Sequence, residues 1–441
     1  MVMLMKVTSM QEMPRAIDLQ RRIDSTRESP LLYKIFALVA GGMFLDAADV
    51  YMASAVAGTV LKSGWSTITQ NSYFLSSGFL GLFLGSIIAG FIGDLKGRRV
   101  AYQINLLLFG GFTFIGAFAP NMWFLIFCRL MSSIGLGSEI VTGYSMINEF
   151  APIHNRGKWC AGVSLVANTG APVTMLICTA VIPRFGWRTM FIGIGIVAAI
   201  LWYLRRDIPE SSRWLINHGK TEQAEKIIEQ LEVNGQSNYT PAKTKKREIV
   251  HHSFGISLFV ATVAVSATII CQYTFTSWVP TLLLKRGINI SGSLGLSTMM
   301  MLGAPVGCAV GAFLIDRIGR KKTIVPAFLF TAVFGMLYAR QNSVSGVVAV
   351  GFLLTVCFYI LMASVVAVYV AELFPTAFRF RGSGIANGIA KLFTVAMPII
   401  VAWMLKVTSV NMIFWTISAI ALFAGIVVWT MGDETNQKDI G

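Results

Sequence analysis

The stretches GFIGDLKGRR at Gly90–Arg99 and AFLIDRIGRK at Ala312–Lys321 decide how this chain is organised. Each one ends a long apolar run with the same order of Gly or Ala, Asp, Gly and basic residues. Asp316 lies 222 residues after Asp94. A short motif that recurs at such a distance indicates that one half of the chain repeats the other.

A second motif pair supports the repeat. EFAPIHNRG begins at Glu149 and ELFPTAFRFRG begins at Glu372, and these two glutamates are 223 residues apart. The prolines and arginines of the two stretches keep the same separation (Pro152 and Pro375, Arg156 and Arg379). Two independent motif pairs at almost one offset predict duplication of a multi-helix unit, which is typical of secondary transporters whose site lies between the halves.

The composition places this duplicated unit in a membrane. The chain has 441 residues, of which 55% are hydrophobic and only 13% are charged. About 20 apolar residues cross a bilayer as a helix, because lipid offers the backbone no hydrogen-bonding partners. The sequence therefore predicts an all-α membrane protein with twelve spans in two six-helix bundles, at 33–56, 72–93, 101–119, 122–147, 158–182, 187–204, 255–280, 295–315, 323–339, 345–370, 383–404 and 410–431.

The net charge of +15 reports topology. With both termini in the cytoplasm, most of the 36 Lys and Arg fall on the cytoplasmic side, as the positive-inside rule requires. The basic balance therefore does not indicate a nucleic-acid partner. The exceptions are seven residues outside (Lys62, Arg184, Arg188, Lys285, Arg286, Arg340, Lys406) and two within spans (Arg129, Lys391).

The chain divides around one long polar connection. We predict a cytoplasmic tail at 1–32, a first bundle at 33–206, a linker at 207–254, a second bundle at 255–431 and a short tail at 432–441. Apolar positions within Ser211–Glu232 predict one or two helices on the cytoplasmic surface. The six cysteines show no disulfide or metal spacing, and no cofactor motif or nucleophile–base constellation of an enzyme occurs.

These motifs resemble those of the major facilitator superfamily. The G-x-x-x-D-x-x-G-R-R loop is its signature, RLMSSIGLG at Arg129–Gly137 is similar to its fourth-helix motif, and PESSRWL at Pro209–Leu215 is similar to a sugar-porter motif. FLDAADV in the first span and AELFPTAFRFRGSG before the eleventh look most like niacin transporters, aromatic acid/proton symporters and animal organic ion transporters. The resemblance covers about residues 30–435 and implies two halves that rock around a central site.

The repeated loops predict a cytoplasmic gate. A carboxylate such as Asp94 can face a helix N-terminus, whose partial positive charge favours it, while the arginines bind carbonyls or Glu149. Such contacts would hold the cytoplasmic side shut and break when it opens. Simple positive-inside anchoring is the alternative. The predicted gating residues are Asp94, Arg98, Arg99, Glu149, Arg156, Asp316, Arg320, Glu372 and Arg379.

Charges within the spans are the candidates for proton coupling, because ionisable groups there are costly to bury. Asp46 and Asp49 share a helix face, and a pair of Asp46 with Arg129 is within reach. A carboxylate that loses its cationic partner in apolar surroundings binds a proton more readily, so Asp46 becomes the predicted proton carrier. A permanent structural ion pair is the alternative. Glu139 is either a second proton site or a partner of neighbouring backbone.

Lys391 is the candidate for the substrate. The resembled organic anion and niacin transporters carry an Arg at the matching place, so Lys keeps the charge but loses the bidentate fork. A central cation in a water-filled cavity fits a transported carboxylate, with Asn387 one turn away. A permanent pair with an acidic residue is the alternative. Further predicted substrate contacts are Tyr273, Trp278, Gln272, Tyr359 and Asn168, although helical aromatics are more often packing residues.

The resulting prediction is a proton-coupled symporter for a small organic anion, an aromatic or heterocyclic monocarboxylate such as nicotinate or hydroxybenzoate. It works as a monomer in the bilayer, most naturally a bacterial inner membrane, and its partners are protons and the small-molecule substrate. A sugar or polyol porter and an exporter remain alternatives within transport. A non-transporting sensor would normally carry a signalling domain, and the tails are too short to hold one.

Overall fold

A computed structural model describes residues 18–19, 22–23, 26–152, 156–232, 254–285, 287–374 and 379–435. The spans predicted from hydropathy are helices, and most run several residues further than the sequence suggested. The first half contains α1 (Pro30–Lys62), α2 (Ile68–Lys96), α3 (Arg98–Gly116), α4 (Met122–Phe150), α5 (Arg156–Phe185) and α6 (Arg188–Leu204). The second half contains α7 (Phe254–Lys285), α8 (Ile290–Met301 continued by Gly303–Arg317), α9 (Arg320–Ala339), α10 (Val344–Leu361 continued by Met362–Tyr369 and Val370–Glu372), α11 (Arg379–Val407) and α12 (Val410–Met431).

In these ranges, eleven helices are long and apolar enough to cross a membrane. The twelfth, α3, is missing from that set because Arg98, Gln103 and Asn105 lower its hydropathy. It packs against α4 and α6 with Tyr102 and Asn105 buried, so it belongs to the first bundle as the sequence predicted. A span with partners on several sides tolerates polar residues that lipid would not.

Local signals explain where several of these helices begin. At α1, Pro30 stands at the first helical position and the Ser29 hydroxyl accepts a hydrogen bond from the Leu32 amide. At α2, Thr67 and Gln70 form a capping box, in which each side chain bonds the other residue's backbone amide. These caps satisfy amides that have no partner within their own helix.

Two short helices of the linker, Ser212–Asn217 and Thr221–Leu231, lie beside the first half. Leu231 packs in a cluster with Leu32 and Ile35 of α1. The side chain of Arg22 donates to both carboxylate oxygens of Glu232, at 3.0 and 2.6 Å. We call this side of the bundle the linker end and the opposite side the far end.

Hydrogen bonds join the two halves on the far-end side of the helices. The Ser54 hydroxyl of α1 is 2.9 Å from the Thr276 carbonyl oxygen of α7, and these residues are 222 positions apart. Ser54 therefore contacts its own equivalent in the other half, which places the pseudo-twofold axis between α1 and α7. Thr179 with Thr298 (3.2 Å) and Lys406 with Thr69 (2.7 Å) join the halves nearer the far end.

Candidate functional site

The buried ion pair of the first half is formed by Asp49 and Arg129. The Arg129 guanidinium donates to the Asp49 carboxylate, and both side chains are almost inaccessible, with relative exposures of 5% and 1%. The sequence predicted Asp46 as the partner of Arg129, and that prediction is wrong for this structure. The two aspartates lie on one face of α1, and Asp49 is the one level with Arg129.

Asp46 is left without a cation. It stands at the midpoint of α1, counted between Pro30 and Lys62. Its Oδ1 is inaccessible, and no hydrogen bond or ion pair to it exists among the described residues. A buried carboxylate oxygen without a donor is costly unless a proton, an ion or a ligand satisfies it. Asp46 is therefore the carboxyl group of this region most open to a change of charge.

Glu139 has a partner that sequence reasoning missed. The Arg205 guanidinium donates to both Glu139 oxygens, at 2.6 and 3.0 Å, and to the Leu38 carbonyl oxygen at 2.8 Å. Arg205 lies over the Tyr102 ring, 3.8 Å from its centroid. Both charged side chains are fully buried, with 0% and 1% exposure. The pair links α4 to the end of α6.

Lys391 lies two residues before the midpoint of α11 and is half-buried. Thr394, about one turn further along α11, lines a cavity together with Phe79 of α2 and Tyr273 of α7. Leu392 and Phe393, which directly follow Lys391, are more than half exposed, as lipid-facing residues are. Lys391 thus shares a helix face with a residue that lines a cavity between the halves. No ion pair involves it in the part of the chain that the structure describes.

Asn387, predicted to share this site, is turned to its own helix. Its side-chain amide donates to the Ser383 carbonyl oxygen at 2.9 Å. The amide nitrogen is therefore occupied, and a ligand at Lys391 could still be reached by the amide oxygen as an acceptor.

Aromatic and amide groups meet at the junction of the halves, slightly to the far-end side of Asp46. The hydroxyl groups of Tyr51 (α1) and Tyr359 (α10) are hydrogen-bonded to each other. Gln272 lies near the Tyr51 hydroxyl, and the Tyr273 ring lies 4.8 Å from that of Phe79 in α2. The structure thus brings together three predicted residues, Gln272, Tyr273 and Tyr359. Tyr51 and Phe79 were not predicted, because both lie in apolar runs with no polar pattern to single them out.

Of two other predicted contacts, Trp278 joins this group by lining a cavity with Phe79 and Tyr273, whereas no contact brings Asn168 to it. Trp278 is 1% exposed and lies five residues beyond Tyr273 along α7, toward the far end. Its indole N–H has no partner in the described part of the chain. Asn168 of α5 is half-buried, and no hydrogen bond to it is seen among the described residues. Trp278 shares that cavity with Thr394, about one turn from Lys391, whereas no contact seen here places Asn168 beside Lys391.

The linker end carries a repeated ion pair. The Arg98 guanidinium donates to Glu149 at 3.2 Å in the first half, and Arg320 donates to both oxygens of Glu372 at 2.7 and 2.8 Å in the second. These are the predicted partners. However, each pair joins helices of one half, so the halves can separate at the linker end without breaking it. The expected role as a latch between the halves does not fit this geometry.

Two further glutamates cap the helices that follow the loop motifs. Glu210 accepts from the backbone amides of Arg98 (2.8 Å) and Arg99 (3.1 Å) at the start of α3. Glu434 accepts from those of Arg320 (2.8 Å) and Lys321 (3.0 Å) at the start of α9. A carboxylate there satisfies free amides and the helix dipole. From the sequence, such a role was predicted for Asp94.

The remaining predicted gating residues are only partly described. Arg99 is exposed and donates to the Arg206 carbonyl oxygen. The side chains of Asp94, Asp316, Arg156 and Arg379 lie outside the described residues.

Sequence comparison defines the class of protein. The model of the family described as "Sugar (and other) transporter" matches residues 42–440. The chain therefore belongs to this family and is a multi-pass membrane transporter, as its duplicated helices and midplane charges indicate.

Individual relatives agree with this assignment. The chain is 32% identical to the inner membrane metabolite transport protein YdjE of Escherichia coli (strain K12), over 95% of this chain and 96% of that protein. It is 26% identical to the niacin transporter NiaP of Acinetobacter baylyi, over 96% and 99%. The fold is that of the E. coli xylose transporter XylE in a partially occluded inward open conformation, with a TM-score of 0.75, 18% identity and coverage of 93% and 100%.

Proposed function

We propose that this protein is a proton-coupled symporter for a small aromatic or heterocyclic monocarboxylate, of which nicotinate and hydroxybenzoate are examples. The observation that carries the proposal is Lys391, a half-buried cation at mid-membrane with no acidic partner among the described residues. An intramembrane charge needs a counter-charge, and a transported carboxylate supplies one. The relative named as a niacin transporter supports a substrate of this class.

Asp46 is the proton carrier in this proposal. It is unpaired and stands at the same depth as Lys391, whereas Asp49 is held by Arg129. When an anion occupies Lys391, the Asp46 carboxylate loses the favourable field of the lysine and takes up a proton. Anion and proton then cross together with no net charge. Glu139 was predicted as a second proton site, and we now assign it a structural role because Arg205 holds both of its oxygens.

The linker end is the cytoplasmic end in this proposal, as the distribution of Lys and Arg predicts, and the membrane is a bacterial inner membrane. The bonds between α1 and α7, and between Tyr51 and Tyr359, then close the outer side of the site. Import begins when these bonds break and the site opens outward. The protein acts as a monomer, because each half finds its partner within the same chain.

Binding and transport by variants test the two roles. Lys391→Ala is expected to weaken carboxylate binding at least about tenfold, whereas Lys391→Arg keeps the charge and most of the affinity. Asp46→Asn is expected to exchange substrate across the membrane but not to accumulate it uphill. Asp207→Asn, at an exposed position, is the matched control and should behave as wild type. Unchanged affinity in Lys391→Ala would remove the carboxylate site, and uphill uptake by Asp46→Asn would remove the proton carrier.

A sugar or polyol porter is the second candidate. It is favoured by Gln272, whose amide is buried at the junction of the halves with its Oε1 unbonded in the described part of the chain. In that case a thermal-shift screen of the purified protein against carboxylates, sugars and amines would show stabilisation by sugars. Lys391→Ala would then leave the stabilisation intact.

A further inference from the structure

Two opposite charges near mid-membrane, one in each half, do not form an ion pair with each other. Asp46 belongs to the first half and Lys391 to the second, and both stand within two residues of the middle of their helices. Their nitrogen and oxygen atoms are further apart than the 4.0 Å of an ion pair. Their charges nevertheless act on each other. A carboxylate and an ammonium thus stand near the membrane midplane, one in each half and not paired with each other.

The other charges around Asp46 are already neutralised. Asp49 is paired with Arg129, and Glu139 with Arg205. The other titratable groups that interact electrostatically with Asp46 are Lys391 and three phenols, those of Tyr51, Tyr144 and Tyr273. Asp46 and Lys391 are thus the two charges in this region of the described chain that lack an ion-pair partner.

The surrounding groups suit a ring between the two charges. On the far-end side, the hydroxyl groups of Tyr51 and Tyr359 are hydrogen-bonded to each other, and the Tyr273 ring is tilted against that of Phe79. On the α11 side, Thr394 lies about one turn from Lys391 and lines a cavity together with Tyr273 and Phe79. Aromatic faces are also favourable neighbours for a cationic ring, because their negative quadrupole attracts positive charge.

We propose that the site accepts zwitterionic ring carboxylates, with the carboxylate on Lys391 and the fixed cation on Asp46. This inference rests on the carboxylate site proposed above and adds a second subsite to it. A simple anion leaves the Asp46 carboxylate unneutralised, so a proton must enter with the anion. A zwitterion brings its own positive charge to Asp46, so it crosses without a proton. The substrate therefore decides whether the proton is carried.

A matched pair of probes isolates the cation. N-methylnicotinate and 3-methylbenzoate have the same shape and the same carboxylate, and they differ in the positive ring nitrogen. At pH 8 the wild-type protein is expected to bind N-methylnicotinate at least about tenfold more tightly, as one extra charge-assisted contact provides. Asp46→Asn should bring the two affinities together to within about threefold, and Asp46→Glu should restore the preference.

Transport supplies an independent readout. In proteoliposomes, entry of 3-methylbenzoate is expected to acidify the lumen, and entry of N-methylnicotinate is expected to leave the luminal pH unchanged. N-methylnicotinamide carries the cation without the carboxylate and should bind at least about tenfold more weakly than N-methylnicotinate, because Lys391 repels it.

Several results would overturn the inference. If the wild type preferred 3-methylbenzoate, or if the preference for the zwitterion survived Asp46→Asn, the cation subsite would be absent while the symport of simple carboxylates remained intact. Proton entry with N-methylnicotinate would have the same meaning. If neither carboxylate bound and a sugar did, the carboxylate site itself would fail, and the inference with it.

Discussion

The buried ion pair of Glu139 and Arg205 allows a quantitative test of its role. It should contribute to the stability of the first half and not to proton transport. In Arg205→Met, the Glu139 carboxylate and the Leu38 carbonyl oxygen keep their burial but lose the bonds of 2.6–3.0 Å to the guanidinium. Removing one partner of a buried pair typically costs about 3–5 kcal/mol, because it leaves an uncompensated charge. We expect a loss of about 3 kcal/mol, since protonation of Glu139 relieves part of the cost.

The neighbouring residue provides the control. Arg206 is 58% exposed and lies 3.7 Å from Asp207, so Arg206→Met should change the free energy of unfolding by less than about 0.5 kcal/mol. The double variant Glu139→Gln/Arg205→Met removes both charges and should recover much of the loss.

Unfolding followed by tryptophan fluorescence in mixed detergent micelles, titrated with SDS, measures these differences. Uptake by the double variant then tests the role of Glu139. It should still accumulate substrate uphill, since the proton carrier is Asp46. Equal stability of the two single Arg variants, or a double variant no better than Arg205→Met, would refute the reasoning.

Three other expectations follow from contacts described above. A Cβ at Gly42 would overlap the Arg205 guanidinium, so Gly42→Ala should lower the free energy of unfolding by about 2 kcal/mol or more. A Cβ at Gly41 would lie 3.5 Å from Leu201, so Gly41→Ala should be nearly neutral. A neutral Gly42→Ala would contradict this packing. Tyr51→Phe and Tyr359→Phe each remove the same hydrogen bond between the halves. A double-mutant cycle should therefore show about 1 kcal/mol of coupling in the equilibrium between the outward-open and inward-open states, measured by labelling of a Ser54→Cys reporter. Additive effects of the two substitutions would count against the bond. Glu210→Gln and Glu434→Gln should each cost about 0.5–2 kcal/mol, and a large effect in one half alone would disprove their equivalence.

The repeat and the hydropathy pattern were sufficient to predict the two six-helix halves, because both depend on long stretches of sequence. They did not resolve the choice between Asp46 and Asp49. These residues differ by less than one helical turn, and the observed ends of α1 lie three and six residues beyond the predicted ones. A depth in the membrane that is counted from a misplaced helix end cannot distinguish two residues only three positions apart.

Partners beyond the helix ends were the second kind of miss. Arg205 follows the last residue of α6 and was counted among the cytoplasmic basic residues, yet it folds back into the bundle. Glu210 and Glu434 are separated by 224 residues, close to the offset of the repeat, but they sit in PESSR and GDETN, whose other residues differ. Such contacts depend on the path of the chain after a helix ends. The periodicity of nearby apolar residues does not predict that path.

The hydrogen bonds at the linker end lie within each half, which affects whether the two halves can fold as separate polypeptides. The linker-end bonds join segments of the same half. In the first half Arg98 bonds Glu149 and Glu210, and in the second half Arg320 bonds Glu372 and Glu434. A gene divided between the codons for Glu232 and Phe254 should therefore yield two polypeptides that each fold and then associate through the bonds of α1 with α7. Co-purification of the two pieces with restored uptake would reveal this autonomy, and failure of either piece to fold alone would deny it. The duplication would then survive in the protein as two separable folding units.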